Sequence, residues 1–276
     1  RYTVVSWARD VYKRQLHKNV EDDEYFLQLD KNDLEKEFIY FAYVLNAPQA
    51  AGVRGGAIGQ GAVLEFRRFK DEIALFKKNT NFSNETDNNI GKADLTNIME
   101  AFLDSFEVVV EEGESIVISV SDLFLSETLT SVSPNLPREY RDFVDLDLGR
   151  LDDDKTFINQ VRNYPKNTAV EVTFGFSNPK PNQRNAVYAV ADARFTSIVA
   201  RHLFVEMPDN QFNPRVADQR VGYFSQRVTD LSTYDNYPQR DLINKWRLIK
   251  KDPEAELSEP VNPIVFWVEK STPEEI

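Results

Sequence analysis

The chain has 276 residues, of which 41% are hydrophobic and 12% aromatic, so it can bury the core of one large domain or of two ordinary ones. Its net charge of -12 argues against nucleic-acid binding, because that function needs a basic surface. The absence of cysteine excludes disulfides, thiolate zinc sites and cysteine nucleophiles. No stretch approaches the ~20 consecutive apolar residues of a transmembrane helix.

The first residues have an unusual sequence. Asp10–Gln15 resembles the translation of an adapter used to build DNA sequencing libraries, and Val5–Arg9 fits the adjoining adapter sequence after a slip of one base. We therefore expect residues 1–15 to be a sequencing artefact without a function of their own. A native basic strand is the alternative interpretation.

Most of the remaining chain has the pattern of β-strands, with aromatic and β-branched residues that often alternate with polar ones. Strands are predicted at 25–29, 38–45, 63–69, 73–77, 106–111, 115–120, 170–176, 186–207, 221–228, 244–249 and 264–268. The runs at 63–69 and 73–77 are close enough to form a hairpin, although the turn between them lacks an Asn-Gly or Asp-Gly pair.

Two segments are predicted to be helical. Between Leu95 and Phe106, apolar residues recur with helical spacing and form one continuous stripe. The stripe consists of Leu95, Ile98, Met99, Phe102, Leu103 and Phe106. A second helix is predicted at Asp153–Asn163. We therefore expect an α+β fold of mainly antiparallel sheets with a few packed helices, the Leu95–Phe106 helix lying on a sheet through its stripe.

Three local patterns suggest binding sites but favour simpler interpretations. The glycine-rich loop Gly52–Gly61 precedes a strand, whereas phosphate-binding loops lead into a helix. The acidic run Asp145–Asp154 lacks the order of ligands in a calcium loop, so a solvated turn is favoured. His202 and Glu206 supply two ligands, and zinc sites usually need at least three from the protein.

The last third of the chain offers candidates for contacts rather than for catalysis. Asp218 and Arg220 form either a salt bridge that holds a loop or a contact to substrate or another domain, and the salt bridge is the simpler interpretation. Trp246 and Trp267 are most simply anchors in a core or a domain interface.

Several segments together resemble one protein family. The most specific are Arg215–Phe224, with its Arg-Val-Ala-Asp-Gln-Arg-Val-Gly-Tyr-Phe sequence, and the two segments Trp246–Leu248 and Ser258–Trp267. Asn163–Asn167 and His202–Pro208 add to the likeness. The chain is similar to the region just before the catalytic domain of large secreted or periplasmic bacterial zinc metalloproteases of the zincin type.

The resemblance implies that residues 16–250 are a β-rich N-terminal domain of unknown function and that residues 251–276 begin the catalytic domain. The N-terminal region would be non-catalytic and would give prodomain-like or scaffold support to the catalytic domain. The His-Glu-x-x-His zinc helix would lie after Ile276, so we expect zinc in the parent protein and neither a cofactor nor a catalytic residue in this chain. Its partners would be its own C-terminal catalytic domain and the parent's protein or peptide substrate. The possible interdomain or structural motif consists of Arg215, Asp218, Arg220, Tyr223, Trp246 and Trp267. A free-standing β-rich module that binds peptide or glycan at exposed sheet edges is the alternative.

Overall fold

The computed structural model describes residues 14–19, 24–59, 61–83, 98–133, 144–181, 188–208, 212–233, 235–266, 268 and 272–273. The described residues fall into two compact units. The first lies within Arg1–Asn79 and Ile98–Pro208, and the second lies within Thr80–Asn97 and Asp209–Ile276.

Both units are built from β-strands. The strands in chain order are β1 (Arg14–Lys18), β2 (Tyr25–Asp30), β3 (Glu37–Asn46), β4 (Ala62–Phe69), β5 (Glu72–Lys77), β6 (Phe82–Ser83), β7 (Ala101–Glu112), β8 (Ser115–Ser119), β9 (Arg150–Leu151), β10 (Phe157–Asn163), β11 (Asn167–Ser177), β12 (Phe195–Glu206), β13 (Ser225–Asp230) and β14 (Gln239–Ile243). Short 3-10 helices occur at Lys31–Asp33, Gln49–Ala51 and Asp153–Lys155, and the α-helix α1 spans Ser121–Leu125.

The predicted α+β class is wrong. The structure is 47% strand and 6% helical, and the single α-helix of its described part is shorter than 7 residues. The predicted antiparallel pairing is confirmed. No helix in the described part of the chain is both long and apolar enough to cross a membrane.

The first unit is one antiparallel sheet of 11 strands. Its order is β1-β2-β8-β7-β5-β4-β3-β12-β11-β10, with β9 paired to β11. Alternate side chains face one interior, as the pleat of a strand requires. In β3 these are Phe38, Tyr40 and Ala42, and in β12 they include Ile198 and Ala200, all buried.

The sheet curls until its first and last strands approach each other. The Asn163 side chain at the end of β10 bonds the backbone of Leu16 in β1 twice. Its Oδ1 accepts from the Leu16 N–H at 3.4 Å, and its Nδ2 donates to the Leu16 carbonyl at 3.2 Å. The helix α1 packs against β10 and β11 and buries Leu123 and Phe124 in the same core. One continuous core is thus enclosed by the curled sheet and this short helix.

Both helix predictions are wrong where the structure describes them. Of the segment Leu95–Phe106, residues 95–97 lie outside the described residues and residues 101–106 belong to the strand β7. In the segment Asp153–Asn163, a 3-10 turn at Asp153–Lys155 leads into the strand β10.

The two errors share a physical cause, which is a β-bulge in each strand. The pairing of β7 with β5 skips Leu103, and the pairing of β10 with β11 skips Asn159. As a result, Leu103 and Phe106 both pack on the core although they are three residues apart, and so do Ile158 and Val161. A bulge therefore turns the spacing of two that is typical of a strand into the spacing of three that favours a helix.

The second unit contains a sheet of three strands, in which β13 pairs with β14 antiparallel and with β6 parallel. Its buried apolar side chains include Val228, Leu231 and Ile243. The strands predicted at Asn244–Ile249 and Ile264–Val268 are wrong for the described residues there, which lie outside the named strands. Their side chains are largely exposed, so no packed neighbour favours an extended sheet at these positions.

Candidate functional site

The first unit has a cavity of about 580 Å³ at the end of the sheet where β12 finishes and β3 begins. Its inner wall is apolar. The main wall side chains are Leu16, Leu27, Phe38, Phe66, Phe124 and Phe204. The volume falls within the ~300–1,000 Å³ of pockets that enclose small ligands. The cavity is therefore large enough to act as a binding site.

The rim of the cavity is charged. Among the described residues it carries Asp33, Lys36, Glu37, Lys166 and Glu206. The Lys36 ammonium lies 3.2 Å from the Asp33 carboxylate, so these two charges offset each other. The backbone N–H of Glu206 donates to the Lys166 carbonyl at 2.9 Å, which places two exposed side chains of opposite charge side by side. The rim thus offers both donors and acceptors around an apolar interior.

A polar pair lies beneath the aromatic wall. The Tyr40 hydroxyl is 2.9 Å from His202 Nδ1. The Tyr40 ring is 5.2 Å from Phe204, and the His202 ring is 6.1 Å from Phe124, measured between ring centroids. Since Phe204 and Phe124 line the cavity, the pair forms the next layer of the core behind them.

Burial controls the protonation of both members of this pair. Loss of solvation lowers the pKa of His202 to about 4 and raises the pKa of Tyr40 above its ordinary value. At neutral pH both side chains are therefore uncharged, and the Tyr40 hydroxyl keeps a proton to donate. His202 Nε2 is buried and has no hydrogen-bond partner among the described residues. The imidazole is a core group held by one hydrogen bond.

Comparison with known proteins places the sequence in a family. Residues 55–251, more than half of the chain, match the family described as Domain of unknown function (DUF5117). The chain belongs to the DUF5117 family. No curated protein and no solved structure matches it.

The DUF5117 match includes only part of the cavity. It contains Phe66, Phe124, Lys166 and Phe204, whereas the strands β1, β2 and β3 precede it. Because the curled sheet needs these three strands to enclose its core, the cavity of this DUF5117 chain is completed by residues outside the matched range.

Of the six residues of the possible interdomain motif, two form a direct contact. Arg220 Nη2 lies 2.6 Å from Asp218 Oδ2, and Arg220 Nε lies 2.9 Å from Asp218 Oδ1. These hydrogen bonds lower the pKa of Asp218 to about 2. The Arg215 carbonyl accepts from the Ile243 N–H at 2.9 Å, so this segment runs beside β14. The salt bridge is present, and the wider role of the motif stays a prediction.

Those aromatic residues of the motif that the structure describes do not lie in a core. Trp246 is 63% exposed, and Tyr223 is also exposed. Trp267 lies outside the described residues. The sequence predicted that Trp246 and Trp267 are anchors in a core or a domain interface. For Trp246 its exposure leaves only the domain interface as a possible role.

The described residues do not fit a zinc ion. No group of three or more His, Asp and Glu side chains among them lies close enough to hold a metal. His202 is buried, whereas Glu206 is exposed at the rim. In the acidic turn, Asp152 is bound by Lys155 and Ser177. We therefore derive no step of zinc chemistry from this chain.

Reasoning from the sequence missed the cavity. Its wall combines side chains that are distant in sequence, such as Leu16 and Phe204, so no local pattern could reveal it. One signal was present. Asn163–Asn167 and His202–Pro208, two segments that the sequence analysis singled out, both supply residues of the rim.

Proposed function

We propose that this chain is the non-catalytic N-terminal region of a bacterial, periplasmic or secreted zinc-dependent metalloprotease and that it supports the catalytic domain by packing against it. The resemblance of Arg215–Phe224, Trp246–Leu248 and Ser258–Trp267 to the region before such a domain supports the proposal. The zinc ion and the catalytic residues would belong to the part of the parent protein that follows Ile276.

The observation that carries the proposal is the exposed apolar surface of the second unit. Phe224 is 89% exposed and Phe266 is 79% exposed, and both belong to segments that resemble the metalloprotease region. Leu257 and Val268 are also strongly exposed. Large apolar side chains that a unit leaves exposed are candidates for burial against another domain. A domain that covered these side chains would gain roughly 1.5–3 kcal/mol for each one fully buried.

The alternative module would bind peptide or glycan at exposed sheet edges. In the first unit the two outermost strands are joined through Asn163 and Leu16, and β10 carries a bulge at Asn159. Bulges and polar residues protect sheet edges from pairing with other chains. The edges of the large sheet therefore support edge docking less than the apolar surface of the second unit supports domain packing.

The experiment compares two proteins, residues 16–276 alone and the same chain continued through the domain that follows. Hydroxyl-radical footprinting would measure the solvent exposure of Phe224, Leu257 and Phe266. We expect these side chains to be labelled readily in residues 16–276 and to be protected in the continued chain. Tyr188 of the first unit, which is 96% exposed, is the internal control and should be labelled equally in both.

Matched variants add a measurement of the free energy of unfolding to the test. The pair Phe224→Ser and Phe266→Ser should change the stability of residues 16–276 by less than ~0.5 kcal/mol, as for surface sites. In the continued chain the same pair should cost several times more, whereas Tyr188→Ser should be neutral in both. Equal labelling and equal effects in the two proteins would rule out packing through this surface.

A further inference from the structure

We infer that the cavity at the end of the large sheet binds a peptide by enclosing one apolar side chain, while the peptide backbone lies across the charged rim. The inference concerns the first unit only and does not depend on the proposed packing of the second unit.

The inner wall is preformed. Phe38, Phe66 and Phe124 are nearly fully buried and are held from behind by the continuous core. Phe38 stacks on Phe66 with ring centroids 5.4 Å apart, and Phe124 meets Phe204 edge to face at 5.8 Å. The buried rings give the cavity a firm base, and the partly buried Leu27 and Phe204 present apolar surface that a ligand would touch. Such a cavity favours an apolar or aromatic group.

The rim determines which kind of molecule can carry that group. Three carboxylates and two ammonium groups surround the opening, and each carboxylate has an ammonium group near it. Asp33 has Lys36 at 3.2 Å, Glu37 has Lys78 at 3.9 Å, and Glu206 stands beside Lys166. The opening therefore has no unopposed ammonium group to hold the carboxylate of a fatty acid, and a further negative charge there would be repelled by the three carboxylates.

A peptide backbone fits the same rim better. It is neutral and carries both an N–H donor and a carbonyl acceptor at each residue. Lys166 and Glu206 stand side by side, because the Glu206 N–H donates to the Lys166 carbonyl, and they supply one donor and one acceptor next to the opening. Neither side chain is hydrogen-bonded to another described residue, and the Asn167 and Thr168 side chains add neutral polar groups to the rim. Charge balance and donor–acceptor balance thus favour a peptide over an anionic lipid.

The test uses three probes and NMR titration of the 276-residue chain. The first probe is the peptide acetyl-Ala-Gly-Phe-Gly-Ala-amide, the second has Ser in place of Phe, and the third is decanoate. We expect the Phe peptide to bind at the cavity and the Ser peptide to bind about tenfold more weakly, which corresponds to about 1.4 kcal/mol.

Two variants locate the binding. Met207→Trp places a large side chain at the rim beyond the end of β12, where the backbone is outside the sheet, and should weaken binding of the Phe peptide about tenfold or more. Tyr188→Trp adds bulk at an exposed position of the first unit away from the cavity and should bind like the unchanged protein. Thermal melting of each variant shows whether it is folded.

If Met207→Trp does not fold, the exposed pair Lys166→Ala and Glu206→Ala replaces it and should also weaken binding. Selective binding of the Phe peptide that the rim variants reduce supports the inference. Binding of decanoate without the peptide, equal binding of the Phe and Ser peptides, binding that the rim variants do not change, or no binding would each overturn it.

Discussion

Tyr40 and His202 form a polar pair inside an otherwise aromatic core, and burial makes this pair sensitive to acid. The imidazole is almost inaccessible to water, and its one hydrogen bond goes to a hydroxyl that stays protonated. Protonation of His202 would place a charge among Phe124 and Phe174 without a counter-ion among the described residues. Buried charges without partners are strongly unfavourable.

The buried pair therefore makes the free energy of unfolding depend on pH. The folded pKa of His202 is about 4, below its ordinary 6.5, so the unfolded chain takes up the proton first as the pH falls. The contribution of neutral His202 to the free energy of unfolding is complete above the pKa of His202 in the unfolded chain. It is lost, by about 3 kcal/mol in total, as the pH falls toward the pKa of His202 in the folded chain. Urea unfolding at a series of pH values between neutrality and the folded pKa would measure this loss.

His202→Gln provides the matched variant, because its amide can still bond the Tyr40 hydroxyl but does not titrate. The variant should be somewhat less stable at neutral pH and should lose much less stability on acidification. A variant with the same pH dependence as the unchanged protein would show that another group is responsible.

Within the elements, the bulge of β7 separates two phenylalanines that a regular strand would place on one face. Phe106 pairs with Ile73 and is 5% exposed, whereas Phe102 pairs with Phe76 and is 49% exposed. On the outer face Phe102 contacts Phe69 and Phe76 edge to face, at 5.6 and 5.4 Å between ring centroids.

This geometry predicts different costs for the same truncation in one strand. Phe106→Ala removes a core side chain and should cost about 3–5 kcal/mol. Phe102→Ala loses two partly exposed ring contacts and should cost about 1–2 kcal/mol. Chemical denaturation of both variants compares them directly. Equal costs would mean that the two rings share one environment, as in the helix that the sequence predicted.

The contact between the outermost strands gives a second prediction at this scale. Asn163→Ala removes both hydrogen bonds to the Leu16 backbone, together with the one that Asn163 Oδ1 accepts from Thr168 Oγ1, and should cost about 1–3 kcal/mol. Asn159→Ala, in the same strand, removes side-chain bonds to Thr173 and Glu171 instead and is the control.

Hydrogen exchange of the Leu16 amide distinguishes the two variants. It should accelerate in Asn163→Ala and stay unchanged in Asn159→Ala. Unchanged exchange in both would show that the first and last strands are held together by packing alone.

Local patterns predicted the strands better than their arrangement. The hairpin of β4 and β5 was expected from two neighbouring apolar runs and is confirmed, with Lys70 supplying the left-handed backbone conformation at its turn. The pairing of β3 with β12 joins segments far apart in the chain, and no local pattern could specify it. The bulges at Leu103 and Asn159 changed the spacing of core residues, so periodicity predicted helices there.

At the scale of the whole molecule, the two units differ in how they bury apolar side chains. The first encloses a continuous core within its curled sheet. The second has a small core around β13 and leaves side chains such as Phe224, Leu257 and Phe266 exposed. Ile264, Val265 and Phe266, in a segment predicted to be a strand, are also exposed. The sequence could not predict that these residues lie outside any strand, because strand formation depends on a partner.

The central proposal is that this chain is the non-catalytic N-terminal region of a zinc metalloprotease. The most direct measurement determines zinc content and casein cleavage for residues 16–276 and for the chain continued through the following domain. We expect about one zinc per continued chain, with chelator-sensitive cleavage, and neither property in residues 16–276, whose two histidines include the buried His202. Tightly bound zinc with chelator-sensitive cleavage in residues 16–276 alone, or neither property in the continued chain, would contradict it.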